Sequence, residues 1–154
     1  MKLRVYIVDD DPYYARLLSY RLDQQEDHEV QHFTSGEDLL ARLAEVPDLL
    51  LLDLKMPGMD GLEVLQRVKG MHPSLPILIV SAQGVVGQAG DAIKLGAFDY
   101  VTKGQDDLLR LGVIVKNIKE RKAMEVELSR LREENRELQA QVDRLRSGVS
   151  GKSE

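Results

Sequence analysis

Short apolar runs alternate with stretches of helical periodicity along residues 1–115. The apolar runs predict five strands, at 3–8, 29–33, 49–52, 77–80 and 98–101. Amphipathic stretches predict helices near 13–23, 36–44, 61–69 and 88–95, and a further helix begins near Asp106. Because the runs at 49–52 and 77–80 carry no polar residue, we expect them to be central strands buried on both faces. This alternation predicts an α/β fold with a five-stranded, parallel, doubly wound sheet.

A heptad pattern replaces this alternation in the C-terminal part of the chain. Spacings of 3, 4, 3, 4 and 3 residues connect the positions of an a/d seam, which are Leu128, Leu131, Asn135, Leu138, Val142 and Leu145. A polar residue at an a position, here Asn135, typically fixes the register of a two-stranded coiled coil. Followed backwards, the seam weakens through Met124, Arg121 and Asn117 to Ile114. The pattern predicts that the last helix extends into a coiled coil.

A solvated single helix is the alternative interpretation of this segment. Its intrahelical pairs Glu133–Glu137 and Arg132–Arg136 are repulsive. In a parallel dimer, by contrast, Glu127 at a g position would meet Arg132 at an e position of the partner helix. We therefore expect a homodimer through the coiled coil. The chain then divides into a globular domain at 1–115, a coiled-coil dimerisation linker at 116–146 and a flexible polar tail at 147–154.

Composition and charge narrow the function classes. The formal net charge is −5, and residues 1–115 alone carry 11 basic and 18 acidic residues, a net charge of −7. This acidic balance and the absence of Trp argue against direct nucleic-acid binding. The absence of Cys excludes disulfides and thiol chemistry. No apolar run approaches the roughly 20 residues of a membrane span, and no secretory signal is evident, so we expect a cytoplasmic protein without membrane attachment.

Polar residues follow the predicted strands where each strand ends. Strand one is followed by Asp9, Asp10 and Asp11, strand three by Asp53, strand four by Ser81 and strand five by Thr102 and Lys103. In an open parallel sheet these ends share one edge, which is where ligands bind. Taken singly, Asp11 is a helix cap, Ser81 a turn residue and Lys103 a solvated lysine. Together they predict a site where carboxylates hold Mg²⁺ or Mn²⁺ and an aspartate serves as nucleophile in phosphoryl transfer.

Four sequence blocks carry a family resemblance, and they are VDDDP at 8–12, LDLKMPGMDG at 52–61, VSA at 80–82 and GAFDYVTK at 96–103. Over about residues 1–120 the chain resembles the receiver domain of two-component response regulators. The resemblance implies a flavodoxin-like fold with strand order 2-1-3-4-5. It also implies that Asp53 accepts a phosphoryl group from a sensor histidine kinase, while Lys103 and Ser81 contact the phosphoryl oxygens. Tyr100 would be the switch aromatic that responds to movement of Ser81.

The same resemblance implies a metal site, and the chain departs from the family pattern at one position. Asp10, Asp53 and the backbone carbonyl of Lys55 would hold Mg²⁺, and Asp9 would steady a metal-bound water. The family normally has Pro after the strand-five lysine, where this chain has Gly104. Since a cis bond without proline costs about 2.5–4 kcal/mol, we expect a trans bond before Gly104.

A second resemblance concerns the long helix. The segment LREEN at 131–135, after a receiver-like domain, resembles the linker of sigma-54-dependent transcription activators. In those proteins an AAA+ ATPase and then a DNA-binding domain follow the linker, and residues 151–154 resemble the start of that ATPase. The resemblance implies a truncated chain whose phosphorylation controls a transcriptional output, with no enzymatic activity beyond its own phosphorylation and dephosphorylation.

Two other functions remain open from the residues alone. A Mg²⁺-dependent phosphohydrolase with an aspartyl-phosphate intermediate typically carries a second Asp two residues after the nucleophile, where this chain has Lys55. In a pure dimerisation module the acidic site would be vestigial and without function. Failure of the protein to bind Mg²⁺ would support this interpretation.

Overall fold

The computed structural model describes residues 2–23, 28–82 and 86–152, except for the side chains of 86, 105–107 and 150–152. Its five strands are β1 (Leu3–Val8), β2 (His28–Phe33), β3 (Leu49–Leu52), β4 (Ile77–Ser81) and β5 (Asp99–Thr102). Its five helices are α1 (Pro12–Asp23), α2 (Gly36–Arg42), α3 (Gly61–Met71), α4 (Val86–Lys94) and α5 (Gln105–Lys152). The predicted alternation of strands and helices is confirmed, with boundaries that differ by a few residues. Glycines at 84, 87 and 90 form a glycine-rich stretch after β4. Of these, Gly84 lies outside the described residues, and Gly87 and Gly90 lie in α4.

All strand pairs are parallel, and the order in the sheet is β2-β1-β3-β4-β5. The predicted doubly wound, flavodoxin-like topology is therefore confirmed. Every residue of β3 and β4 is buried, as expected for strands that are apolar on both faces. The register pairs Val8 with Leu52 and Ser81 with Thr102, so neighbouring strands end level with one another.

One face of the sheet packs against α2, α3 and α4. Leu50 and Leu52 of β3 lie in the same apolar cluster as Leu39 of α2, Val64 of α3 and Ala92 of α4. The alternate residues of the central strands are buried as well, which requires cover on the second face. Buried side chains also come from α1 and from the first turns of α5. The sheet is thus enclosed between two helical layers.

The chain separates into two compact units, Met1–Val115 and Lys116–Glu154. Every described side chain between 123 and 149 is exposed. The helix continues to Lys152, so the helix end expected at 146 was placed too early. Val149 explains part of this difference, because it lies four residues after Leu145 and continues the apolar spacing. No helix within the described residues is both long and apolar enough to cross a membrane.

Attractive ion pairs along α5 correct the expectation that intrahelical pairs do not support this helix. Arg130 contacts Glu127 at 2.8 Å and Glu134 at 3.1 Å, and Arg136 contacts Glu133 at 3.1 Å. Glu127, which we expected to meet Arg132 of a partner helix, is thus already paired within its own helix. The expectation rested on the repulsive i,i+4 pairs alone and left out these attractive i,i+3 and i,i+4 pairs.

Candidate functional site

Backbone hydrogen bonds beyond the strand ends fix the residues of the site. The N–H of Asp9 donates to Phe33 O at 3.1 Å, and the N–H of Asp53 donates to Val8 O at 2.9 Å. The N–H of Lys103 donates to Ser81 O at 2.8 Å. Each polar residue therefore continues the hydrogen-bond pattern of its neighbouring strand. The predicted convergence at the carboxyl edge of the sheet is present in the structure.

Lys103 joins two buried carboxylates. Its Nζ lies 2.7 Å from Asp9 Oδ2 and 3.1 Å from Asp53 Oδ2. Burial lowers the pKa of Lys103, but hydrogen bonds and charge from Asp9 and Asp53 outweigh it, so the net pKa is raised. The lysine therefore stays protonated and partly neutralises the two carboxylates.

The carboxylate of Asp53 is held on both oxygens. Oδ1 accepts hydrogen bonds from Ser81 Oγ at 3.1 Å and from the backbone N–H of Lys55 at 3.2 Å, while Oδ2 faces Lys103. Asp53 is 5% exposed and Ser81 is fully buried. Carboxylate oxygens have further lone pairs, so these bonds orient the group without saturating it. The carboxylate is therefore held in one orientation at the sheet edge.

Asp9 and Asp10 differ in exposure although they are neighbours. Asp9 is buried, and burial raises its pKa against the opposing effects of Lys103 and of the Asp11 N–H, which donates to Asp9 Oδ1 at 2.9 Å. Asp10 is exposed. One oxygen from each of Asp9, Asp10 and Asp53 lies within 4.8 Å of the others. Three converging carboxylates without imidazole or thiolate form a donor set that suits Mg²⁺ or Mn²⁺.

Asp11 does not join this cluster. Its Oδ1 accepts a hydrogen bond from the N–H of Tyr13 at 3.0 Å, so it caps α1. Thr102 is half-buried and lies beside Ser81 in the sheet register. The peptide bonds of the described residues are all trans, which confirms the expectation for the bond before Gly104.

Tyr100 is half-buried on β5 and packs against the apolar cluster under α2, α3 and α4. Its carbonyl oxygen accepts a hydrogen bond from Arg110 Nη1 of α5 at 3.1 Å. Arg110 also contacts Asp99 at 2.7 Å. The strand that carries Tyr100 and leads to Lys103 is thus tied to the first turns of α5.

Three residues support the site through contacts that were not predicted from the sequence. A Cβ on Gly61 would lie 2.4 Å from Leu54 Cα and 2.5 Å from Asp53 O, so only glycine fits beside the loop that follows Asp53. Glu37 Oε1 accepts a hydrogen bond from the N–H of Met59 in that loop at 3.1 Å, and the backbone N–H groups of Glu37 and Met59 lower the pKa of Glu37. The third is Tyr14, whose ring lies under Lys103. No local sequence signal marks the contacts of Glu37 and Tyr14, because their partners are distant in the chain.

A doubly wound sheet with a buried aspartate between a lysine, a serine and two further aspartates defines a class of signalling domain. Residues 5–124 match the family model of the response regulator receiver domain. The chain belongs to that family. The resemblance recognised from the sequence blocks is confirmed.

Comparison with individual proteins and structures shows which members of this family the chain resembles. The DNA-binding transcriptional regulator NtrC of Salmonella typhimurium is 47% identical over 75 residues, which cover 48% of this chain and 16% of NtrC. A crystal structure of NtrX from Brucella abortus has a TM-score of 0.74 and 29% identity over 85% of this chain and 30% of that chain. A putative response regulator from Chloroflexus aurantiacus has a TM-score of 0.70 and 34% identity over 77% of this chain and 98% of that chain. The chain thus spans less than a third of the NtrC and NtrX proteins that it resembles.

Proposed function

We propose that this chain is a phosphorelay response regulator in which Asp53 accepts a phosphoryl group from a sensor histidine kinase. The observation that supports this most directly is the setting of Asp53, a buried carboxylate held by Ser81 Oγ and Lys103 Nζ next to Asp9 and Asp10. A carboxylate oriented in this way is suited to nucleophilic attack on phosphorus.

In the proposed transfer, an Asp53 carboxylate oxygen forms a P–O bond while the P–N bond of the kinase phosphohistidine breaks. The imidazole nitrogen leaves with the electron pair of that bond. Lys103 Nζ shifts from Asp53 Oδ2 to a phosphoryl oxygen, keeping its contact with Asp9, and Ser81 Oγ donates to a second phosphoryl oxygen. Both groups already lie 3.1 Å from Asp53, so the change requires little rearrangement.

The donor set of the site suits a divalent cation. Asp10, Asp53 and the backbone carbonyl of Lys55 would hold Mg²⁺ or Mn²⁺, with Asp9 acting through a water. The exposed position of Asp10 leaves one side of the cluster open for an ion and its waters. When bound, the ion would offset the negative charge that gathers on the phosphoryl oxygens.

We propose that Ser81 and Tyr100 form the conformational switch. Ser81 pairs with Thr102 across the β4–β5 ladder, two residues beyond Tyr100. A shift of Ser81 towards a new dianionic group would therefore be transmitted along β5. Arg110 links the Tyr100 carbonyl and Asp99 to α5, which gives the signal a route into that helix.

The output is proposed to be transcriptional and to depend on a homodimer. Three leucines of the seam are each about half exposed in the single chain, and they are Leu128, Leu131 and Leu138. A parallel partner helix would bury them. NtrC-type relatives are far longer than this chain, and in a full-length protein an AAA+ ATPase and a DNA-binding domain would complete the output. This chain itself is proposed to have no enzymatic activity other than its own phosphorylation and dephosphorylation.

Phosphorylation of Asp53 is tested by incubating the protein with acetyl phosphate and Mg²⁺ and recording intact mass. We expect one added phosphoryl group on the wild type and none on Asp53→Asn, which keeps the shape of the side chain. Equal labelling of the two proteins would overturn the assignment. Steady release of phosphate from a small phosphate ester would instead favour the phosphohydrolase.

The dimer is tested by sedimentation of the double variant Leu131→Asp, Leu138→Asp. Two carboxylates at d positions oppose pairing, so we expect monomers at concentrations where the wild type is dimeric. The matched control, Ser129→Asp with Ala140→Asp, adds the same two charges at b and f positions, which point away from the seam. A double variant in the seam that remains dimeric would place the contact elsewhere.

A further inference from the structure

The side chain of Lys103 has few geometric constraints of its own. It leaves the end of β5 on four rotatable bonds, and the next residue is Gly104, which restricts the backbone least of all residues. Its ammonium nevertheless lies within 3.1 Å of two carboxylates that follow two different strands. The carboxylates attract the charge, but they do not fix the direction from which the methylene chain approaches.

Tyr14 supplies a contact from another side. Lys103 Nζ lies 4.6 Å from the centroid of the Tyr14 ring, within the range of a cation–π interaction. Tyr14 is in the first turn of α1, whose start is fixed by the Asp11 cap, and its side chain is half-buried. The aromatic face therefore belongs to a rigid element, whereas Lys103 itself follows a short strand.

We infer that Tyr14 is a positioning residue that holds the Lys103 ammonium between Asp9 and Asp53. This inference rests on the proposed function, because it assigns Tyr14 a part in phosphorylation of Asp53. The ring faces the ammonium with its electron-rich surface and excludes water from that side, which strengthens the ion pairs on the other side. During phosphoryl transfer the ammonium turns towards a phosphoryl oxygen, and the ring keeps it from swinging out into solvent.

The variant Tyr14→Phe keeps the aromatic face, and Tyr14→Leu removes it. We expect Tyr14→Phe to be labelled by acetyl phosphate at nearly the wild-type rate. We expect Tyr14→Leu to be labelled roughly tenfold more slowly, which is the effect of about 1.4 kcal/mol of lost positioning. Circular dichroism checks that both variants are folded, and Mg²⁺ titration checks that the acidic cluster is intact.

A double-mutant cycle separates positioning from a structural role. In a Lys103→Ala background there is no ammonium to hold, so Tyr14→Leu should cause no further loss of rate. An equal loss with and without Lys103 would overturn the inference. Equal rates for wild type and Tyr14→Leu would overturn it as well.

Nuclear magnetic resonance tests the contact without phosphorylation. The Lys103 ε-methylene protons, assigned by their loss in Lys103→Arg, should be shifted upfield by the ring in wild type and Tyr14→Phe. Absence of this upfield shift in the wild type would overturn the inference whatever the labelling rates are. The measurement does not depend on Tyr14→Leu, so it remains valid even if that variant fails to fold. Absence of labelling of the wild type would overturn the proposed function and the catalytic part of the inference, while the ring shift would still report the contact.

Discussion

Leucines lie in opposite environments in the two parts of the chain. In the receiver unit, Leu50 and Leu51 of β3 are at most 1% exposed, because strands and helices distant in sequence close over them. In the second unit, Leu138 is 53% and Leu145 70% exposed, because a single helix offers only neighbours within one turn. Leucine therefore forms part of a closed core in one unit and is exposed on a helix in the other.

The difference in leucine exposure reflects different stabilising interactions in the two units. The receiver is stabilised by burial of apolar surface, which contributes about 25 cal/mol for each Å² removed from water. The C-terminal part of α5 depends on local backbone bonds and ion pairs such as Arg130 with Glu127, which are weak in water. The first unit can carry a chemical site with fixed distances, whereas the leucines of the second unit remain exposed.

The largest difference in stability between the two units is expected when one leucine in each is replaced by alanine. Leu50→Ala should destabilise the receiver by about 2–5 kcal/mol, because it leaves a cavity in a closed core. Leu138→Ala should change the main urea unfolding transition by less than about 0.5 kcal/mol at concentrations where the protein is monomeric. Equal losses in the two variants would show that the seam is buried even in the monomer.

Metal binding sharpens the comparison, because the acidic cluster belongs to the receiver. Saturating Mg²⁺ should stabilise the receiver, by about 2.7 kcal/mol at 100 times the dissociation constant. Asp10→Asn should lose most of this gain in thermal unfolding, since it removes an exposed carboxylate of the cluster. Asp11→Asn is the matched control, because Asn caps a helix as Asp does. A full Mg²⁺ response in Asp10→Asn would contradict the metal assignment.

Replacing two glycines by alanine compares a closely packed position with an exposed one. Gly61→Ala should cost about 1–3 kcal/mol and slow labelling of Asp53, because the new Cβ would meet the backbone of Asp53 and Leu54. Gly148→Ala lies inside α5, and its added Cβ would meet nothing within 4 Å other than the adjacent residues and the backbone of its own helix, so it should favour helix by up to about 1 kcal/mol. Unfolding and helical content measure the two effects, and destabilisation by both variants would mean that Gly148 is packed in solution.

The fold could be predicted from the sequence because apolar runs and helical periodicity reflect burial directly. Two strand boundaries were misplaced where a residue's polarity and its burial disagree. Ser81 is polar but fully buried as the last residue of β4, which the predicted strand 77–80 left out. Phe98 is apolar but 46% exposed and precedes β5, which the predicted strand 98–101 included.

The convergence of Asp9, Asp53, Ser81 and Lys103 could also be predicted, since parallel strands end at one edge. The packing around these residues could not be predicted. The contact of Tyr14 with Lys103 depends on how α1 is rotated over the sheet, and the bond from Met59 to Glu37 depends on the path of a loop. Such contacts join residues distant in sequence and leave no periodic trace.

The smallest expected effect compares ion pairs on a packed and an unpacked helix. Arg67–Glu63 on α3 is an i,i+4 pair at 2.9 Å, and Arg130 on α5 contacts both Glu127 and Glu134. Since α3 is held to the sheet by buried residues such as Val64, loss of its surface pair by Arg67→Gln should leave helical content unchanged.

Arg130→Gln should lower helical content, because local pairs are among the few interactions that support this part of α5. The measurement is far-ultraviolet circular dichroism in the monomeric background Leu131→Asp, Leu138→Asp, so that pairing of helices cannot mask the effect. Added salt should remove the difference between the proteins with and without Arg130→Gln, since exposed charges are screened. If Arg130→Gln has no effect at low salt, intrahelical pairs do not sustain α5, and the single-helix interpretation loses its physical support in favour of the coiled coil.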